Sequence, residues 1–173
     1  MDPMQQDPAL AAWRSLGETL AGSFAARARG SLVRTSEFTI QDSQGGRVGR
    51  LEIHGPAGAE LDAGDLQAYI ERPAPSRYAI LAGGKKILAA GPVGSLSTPE
   101  IRCFGGLYRG RLSLLRNKAE AAPSGEAVKV RVAGGLTNRN YEAVFDAGDE
   151  GSLPVAIFLL YLVVALRREA YVT

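Results

Sequence analysis

The chain has 173 residues, 46% of them apolar and 22% charged, with a net charge of +2. That length suits one domain with a sizeable core, and so small a net charge argues neither for nor against a polyanionic partner. One cysteine and one histidine exclude an internal disulfide framework and a zinc site built from three or four nitrogen and sulfur ligands.

Residues 8 to 29 read as a helix. Leu10, Trp13, Leu16, Leu20 and Phe24 recur at spacings of three and four, with Asp7 and Pro8 as cap and first turn. The stripe is too narrow to form a core alone, so this helix is expected to pack on the outside of the domain or against a partner chain. No secretory signal is expected before it, because Asp2 and Asp7 stand where a basic region belongs. With a single cysteine, the expected location is the cytoplasm.

From Ser31 the period becomes two. Phe38 and Ile40 alternate with Thr39 and Gln41, Asp42 to Gly46 turns the chain, and Leu51 and Ile53 return. Residues 55 to 65 read as a loop, and Ala68 to Glu71 as a short strand. Tyr78–Ala82 and Lys85–Ala89 flank Gly83-Gly84, the pair a two-residue hairpin favours. Glu100–Phe104 and Leu107–Leu115 flank Gly105-Gly106. Asn117 to Glu126 reads as a polar loop. Val128, Val130 and Val132 form a half-buried strand, and Tyr141–Phe145 is the last one.

Leu153 to Leu166, LPVAIFLLYLVVAL, has no polar face. Such a helix must be surrounded by apolar material. Its ends carry Ser152 as a cap, Asp149 and Glu150 before it, and Arg167 and Arg168 after it. The run is shorter than the ~20 residues of a spanning helix, which leaves a C-terminal membrane anchor as a lesser alternative.

The order of elements resembles that of the tubby C-terminal-like superfamily, which includes the LURP-one-related proteins and the phospholipid scramblases. The resemblance rests on Phe38-Thr39-Ile40-Gln41-Asp42 through Gly45 or Gly46 to Val48-Gly49-Arg50-Leu51. Its second part is Asn140-Tyr141-Glu142-Ala143-Val144-Phe145-Asp146, leading into Leu153–Leu166. It implies a mainly β fold, a closed antiparallel barrel around the hydrophobic C-terminal helix. The expected organisation is an amphipathic helix over residues 1–30 and a barrel domain over 31–173. The chain is short for a twelve-stranded barrel, so strands are expected to be missing or very short. Arg167 and Arg168 follow the helix, where related chains often carry an acidic residue.

Charge is segregated along the sequence. Residues 51–71 hold five carboxylates and no lysine or arginine; residues 101–131 hold seven cations and two carboxylates. Arg109 and Arg111 share one strand face, as do Lys129 and Arg131. On neighbouring strands these four would form a patch for a phosphate-bearing headgroup, since arginine offers phosphate a fork of donors. The alternative is the solvated outer face of a barrel.

Asp-Ala-Gly-Asp at 62–65 and 146–149 reads as polar turn and helix entry; no metal or cofactor is expected. Cys103 neighbours Ile101 on an apolar face and reads as a core thiol, whereas His54 alternates outward with Arg50 and Glu52, so the two are not expected to meet as a nucleophile pair. Neither a nucleophile elbow nor a phosphate loop is present. Few aromatics interleave with the basic block, which argues against nucleic acid. The expected function is a non-enzymatic binding or scaffold domain for anionic lipid headgroups or a protein partner, with a carboxylate-based enzyme as the alternative.

Overall fold

Twelve antiparallel strands close into one barrel around helix α2 (Ser152–Tyr171), in a computed structural model that describes residues 7–30, 36–92 and 98–171. The strands are β1 (Ser23–Arg29), β2 (Ser36–Gln41), β3 (Arg47–Ile53), β4 (Gly58–Ala63), β5 (Leu66–Ala74), β6 (Arg77–Ala82), β7 (Lys85–Ala90), β8 (Glu100–Cys103), β9 (Gly106–Ser113), β10 (Lys118–Pro123), β11 (Val130–Gly134) and β12 (Asn140–Phe145). Each pairs with its neighbours in sequence, and β1 completes the ring against β12. Closure leaves no strand at a sheet edge among the described residues.

Inward positions explain how a helix fits inside. Many are small: Ala26, Ala59, Ala68, Ala82, Ala90, Ala119, Ala121 and Ala143 are all buried. A helix with its side chains is ~10–12 Å across, and these alanines leave that width. α2 lies closest to β10, β11 and β12, where Ala119, Ala121 and Ala143 let it approach. Leu51, Leu61, Ile70 and Tyr78 fill the far side. Val155 to Val164 are almost wholly shielded from solvent. The hydroxyl of Tyr161, the polar atom in this run, donates to the carbonyl of Gly55 at 3.0 Å. No helix among the described residues is long and apolar enough to cross a membrane; the apolar run is barrel core.

Several expectations need correction. The N-terminal helix, α1 (Pro8–Leu20), stops nine residues short of 29. Ala21 adopts left-handed φ 55° and Gly22 φ 98°, and the chain continues as β1. Phe24 therefore belongs to a strand, with Phe24 and Ala26 facing inward. The domain boundary expected at residue 30 falls inside the barrel's own sheet. Twelve strands do fit, because each is only four to nine residues long. The loops expected at 55–65 and 117–126 contain β4 and β10, whose inward residues are mostly alanine and so carry little strand signal. Ser152 is the first helical residue; its hydroxyl turns back toward the carbonyls of Asp146 and Asp149, at 2.5 and 2.8 Å. Residues 31–35, where the alternation was expected to begin, lie outside the described residues.

α1 does not lie along the barrel wall. Asp7 meets Lys85 beside the β6–β7 turn at 2.8 Å, and Arg14 meets Glu150 at the entry to α2 at 2.5 Å. Leu10, Trp13, Leu16 and Leu20 are buried. The helix thus crosses the mouth at which α2 enters, like a lid on the core. At the opposite mouth α2 emerges among the β3–β4, β9–β10 and β11–β12 connections.

Candidate functional site

The four cations singled out in the sequence all lie on the outer wall, but not as one patch. β10 separates β9 from β11. Its Glu120 sits between Arg111 and Arg131 in register and lies 3.9 Å from each. Arg109 is 4.0 Å from Glu100. Lys129 lies 3.7 Å from Glu126 and 3.8 Å from Asp146. Exposed pairs like these add little stability, yet they cancel the local field. Four cations face four carboxylates, so this wall offers an anionic surface no net attraction.

Cations without such partners gather at the mouth where α2 emerges. The β9–β10 turn carries Arg116 and leads into Lys118, and the β11–β12 turn carries Arg139. Residues 114–118 and 135–139 contain three cations and no carboxylate. None of the three is in an ion pair among the described residues. Arg168 and Glu169 follow at the same end of α2; the Arg168 charge favours ionisation of Tyr141, and the Glu169 charge opposes that of Tyr78.

Two leucines stand among these cations. Leu115 is 86% exposed and Leu136 100% exposed. One exposed leucine is unremarkable; two at the tips of neighbouring turns form a feature.

The turns are locked together. Asn117, buried in left-handed φ 55°, donates from its side chain to the carbonyl of Gly135 at 3.0 Å. Its backbone carbonyl accepts from the Gly134 amide at 2.8 Å. A side chain at position 134 would overlap the Asn117 carboxamide, so glycine is required there. Arg167 of α2 inserts between the turns, donating from Nε to Asn138 Oδ1 at 2.7 Å and from Nη1 to the carbonyl of Leu114. Asn138 Oδ1 also accepts from Tyr141 at 3.1 Å. Arg167, expected as a charge complementing the helix dipole, serves as a clamp. The leucines are therefore presented on a rigid platform.

Other groups weighed in the sequence do not converge. Cys103 faces the barrel interior, where burial, with the negative charge of Asp149 adding to it, pushes the thiol up to about 12. His54 lies on the outside at the end of β3, so the two form no nucleophile pair. Glu52, His54 and Glu60 place one ligand-type atom each within 4.8 Å of one another; His54 and Glu60, 4.0 Å apart and exposed, form a surface pair. Asp62 is held by Arg50 at 3.2 Å. Asp146 accepts from the Gly148 amide at 2.9 Å, and Asp149 accepts from the buried Tyr108 hydroxyl. Three of the four carboxylates of the repeated Asp-Ala-Gly-Asp segments, those of Asp62, Asp146 and Asp149, are thus spent on folding contacts, and Asp65 sits exposed in the β4–β5 turn.

The chain matches no protein-family model, no curated protein and no solved structure.

Proposed function

We propose that the protein is a non-enzymatic module of the tubby C-terminal-like class that docks on anionic membrane surfaces with the mouth from which α2 emerges. The observation that carries this reading is the pair of exposed leucines, Leu115 and Leu136, among Arg116, Lys118 and Arg139, which have no carboxylate partner among the described residues; Arg139 donates to the carbonyl of Gly30 at 3.2 Å. A leucine moved from water into apolar surroundings gains ~1.5–3 kcal/mol. Each cation near an anionic leaflet contributes ~1 kcal/mol. The rigid turns add to this, since little loop entropy is lost on docking. The cytoplasmic leaflet, which carries anionic lipids, is the surface proposed. The barrel then supplies a scaffold, and the wall around Arg109 and Arg131 plays no part in docking.

Co-sedimentation with vesicles tests this. Wild type should bind phosphatidylserine-containing vesicles, fail to bind pure phosphatidylcholine, and release as salt rises. Leu115→Glu/Leu136→Glu should abolish binding, while Arg109→Glu/Arg111→Glu should leave it unchanged. Unchanged binding by the double leucine variant, or a loss confined to the Arg109/Arg111 variant, would reject this orientation. A wild type that ignores vesicles would favour a protein partner at the same platform.

A further inference from the structure

The barrel wall opens at the other end, beside α1. β7 and β8 pair through only three positions, Leu88↔Cys103 to Ala90↔Ile101. Ile87 is an extra residue in β7, since Ile80 pairs with Leu88 and Leu81 with Lys86. Such a bulge bends its strand and breaks the ladder. Between this bent strand, the β8–β9 turn and the start of α1 lies a cleft of about 520 Å³. That size is ordinary for a small-molecule site.

Its walls are apolar and its rim is cationic. Leu10, Leu88 and Cys103 form a buried floor, with Ala89 and Phe104 at the sides. Lys85, Lys86 and Arg102 border it. Lys85 is engaged by Asp7; Lys86 and Arg102 have no carboxylate partner among the described residues. Phe104 adds an independent sign. With Gly105 it forms the two-residue turn between β8 and β9, at φ 48°. That conformation suits asparagine or glycine and is uncommon for a bulky residue. An aromatic side chain is held there in an unfavourable backbone, half-buried against the cleft. Strain of this kind concentrates where ligands are held.

We propose that this cleft binds a single-chain anionic amphiphile, the acyl chain against Leu10, Leu88 and Phe104 and the anionic head at Lys86 and Arg102. The shared chemistry is an apolar chain ending in a carboxylate or phosphate monoester. This site lies at the mouth opposite Leu115 and Leu136, so it stands apart from the membrane-docking reading.

Calorimetric titration tests it, with Trp13 fluorescence as a second readout; Trp13 is the only tryptophan and lines, with Leu10 and Phe104, the cavity adjoining the cleft. The probes are decanoate, decyl phosphate, decanol and inorganic phosphate, all below micelle-forming concentrations. Decanoate or decyl phosphate should bind, and their ratio says which head is preferred. Decanol and inorganic phosphate should each bind at least about tenfold more weakly. Lys86→Glu/Arg102→Glu, both exposed, should weaken the anionic probes by about tenfold or more and leave vesicle sedimentation unchanged. Ala89→Phe should fill the cleft and block all chain-bearing probes. Decanol binding as tightly as decanoate, inorganic phosphate binding as tightly as decyl phosphate, no binding by either anionic probe, or indifference to both variants would each overturn the proposal.

Discussion

Pairing decides what a charged residue does here, and pairing depends on which strand lies beside it. Arg111 and Arg131 look alike in the sequence, and their shared strand faces were legible from spacing of two. Glu120 between them was not legible, because β10 reads as a loop until Ala119 and Ala121 are seen to face α2. Arg167 likewise looks like a helix-end charge until Leu114 and Asn138 are brought to it by two distant turns. Cys103 was correctly legible as a core thiol from its neighbour Ile101. Its burial yields a prediction. Below pH 9 the thiol is protonated whether folded or unfolded and costs nothing. Between 9 and about 12 only the unfolded thiol ionises, so stability falls as pH rises, by up to ~1.4 kcal/mol per pH unit. Urea midpoints should therefore drop above pH 9, and Cys103→Ala should lose part of that slope. The buried tyrosines, also raised, retain the rest. A slope identical in the variant would contradict the buried thiol. Native protein at pH 8 should also resist a thiol reagent that labels it fully in urea.

Among the elements, α2 was the most legible, since fourteen apolar residues with no polar face admit few environments. β1 was the least. Its alternation of Phe24 and Ala26 with Ala25 and Arg27 continues the helical stripe of α1 by coincidence of spacing, and only Gly22 marks the break. The two elements now carry different predictions. Deleting residues 1–21 removes a lid and should leave a cooperatively unfolding barrel, less stable because Leu153 beneath α1 is uncovered. Deleting residues 1–29 also removes β1, which leaves β2 and β12 with unpaired edges. That chain should show no cooperative transition in urea. Equal stability of the two deletions would mean that β1 does not close the barrel. Leu160→Asp places a charge at a site with no exposure. Burying an aspartate there, charged or forced to take up a proton, together with the lost leucine packing, costs an amount comparable to the ~5–15 kcal/mol by which a domain is stable, so this variant should not fold. A soluble, cooperatively unfolding variant would contradict the central position of α2.

For the whole molecule, alternation and glycine-marked turns made a mainly β barrel legible, with the helix at its centre. The ends of the barrel were not legible. Which turns share a mouth follows from strand count, and three strands were hidden by alanine-rich or misread segments. The exposed leucines illustrate this: Leu115 and Leu136 are twenty-one positions apart, and the β10–β11 ladder, Asn117 and Arg167 bring their turns together. Docking by that mouth fixes an orientation, with α1 and the cleft beside it pointing away from the bilayer. Because Cys103 is shielded, a cysteine introduced on the surface can be labelled alone. The most direct measurement is an environment-sensitive fluorophore on Leu136→Cys, compared with the same fluorophore on Ser43→Cys at the β2–β3 turn of the opposite mouth. Phosphatidylserine-containing vesicles should shift the emission at position 136 to the blue and leave that at position 43 unchanged. A shift at position 43, or none at either while the protein remains vesicle-bound, would contradict docking through Leu115 and Leu136.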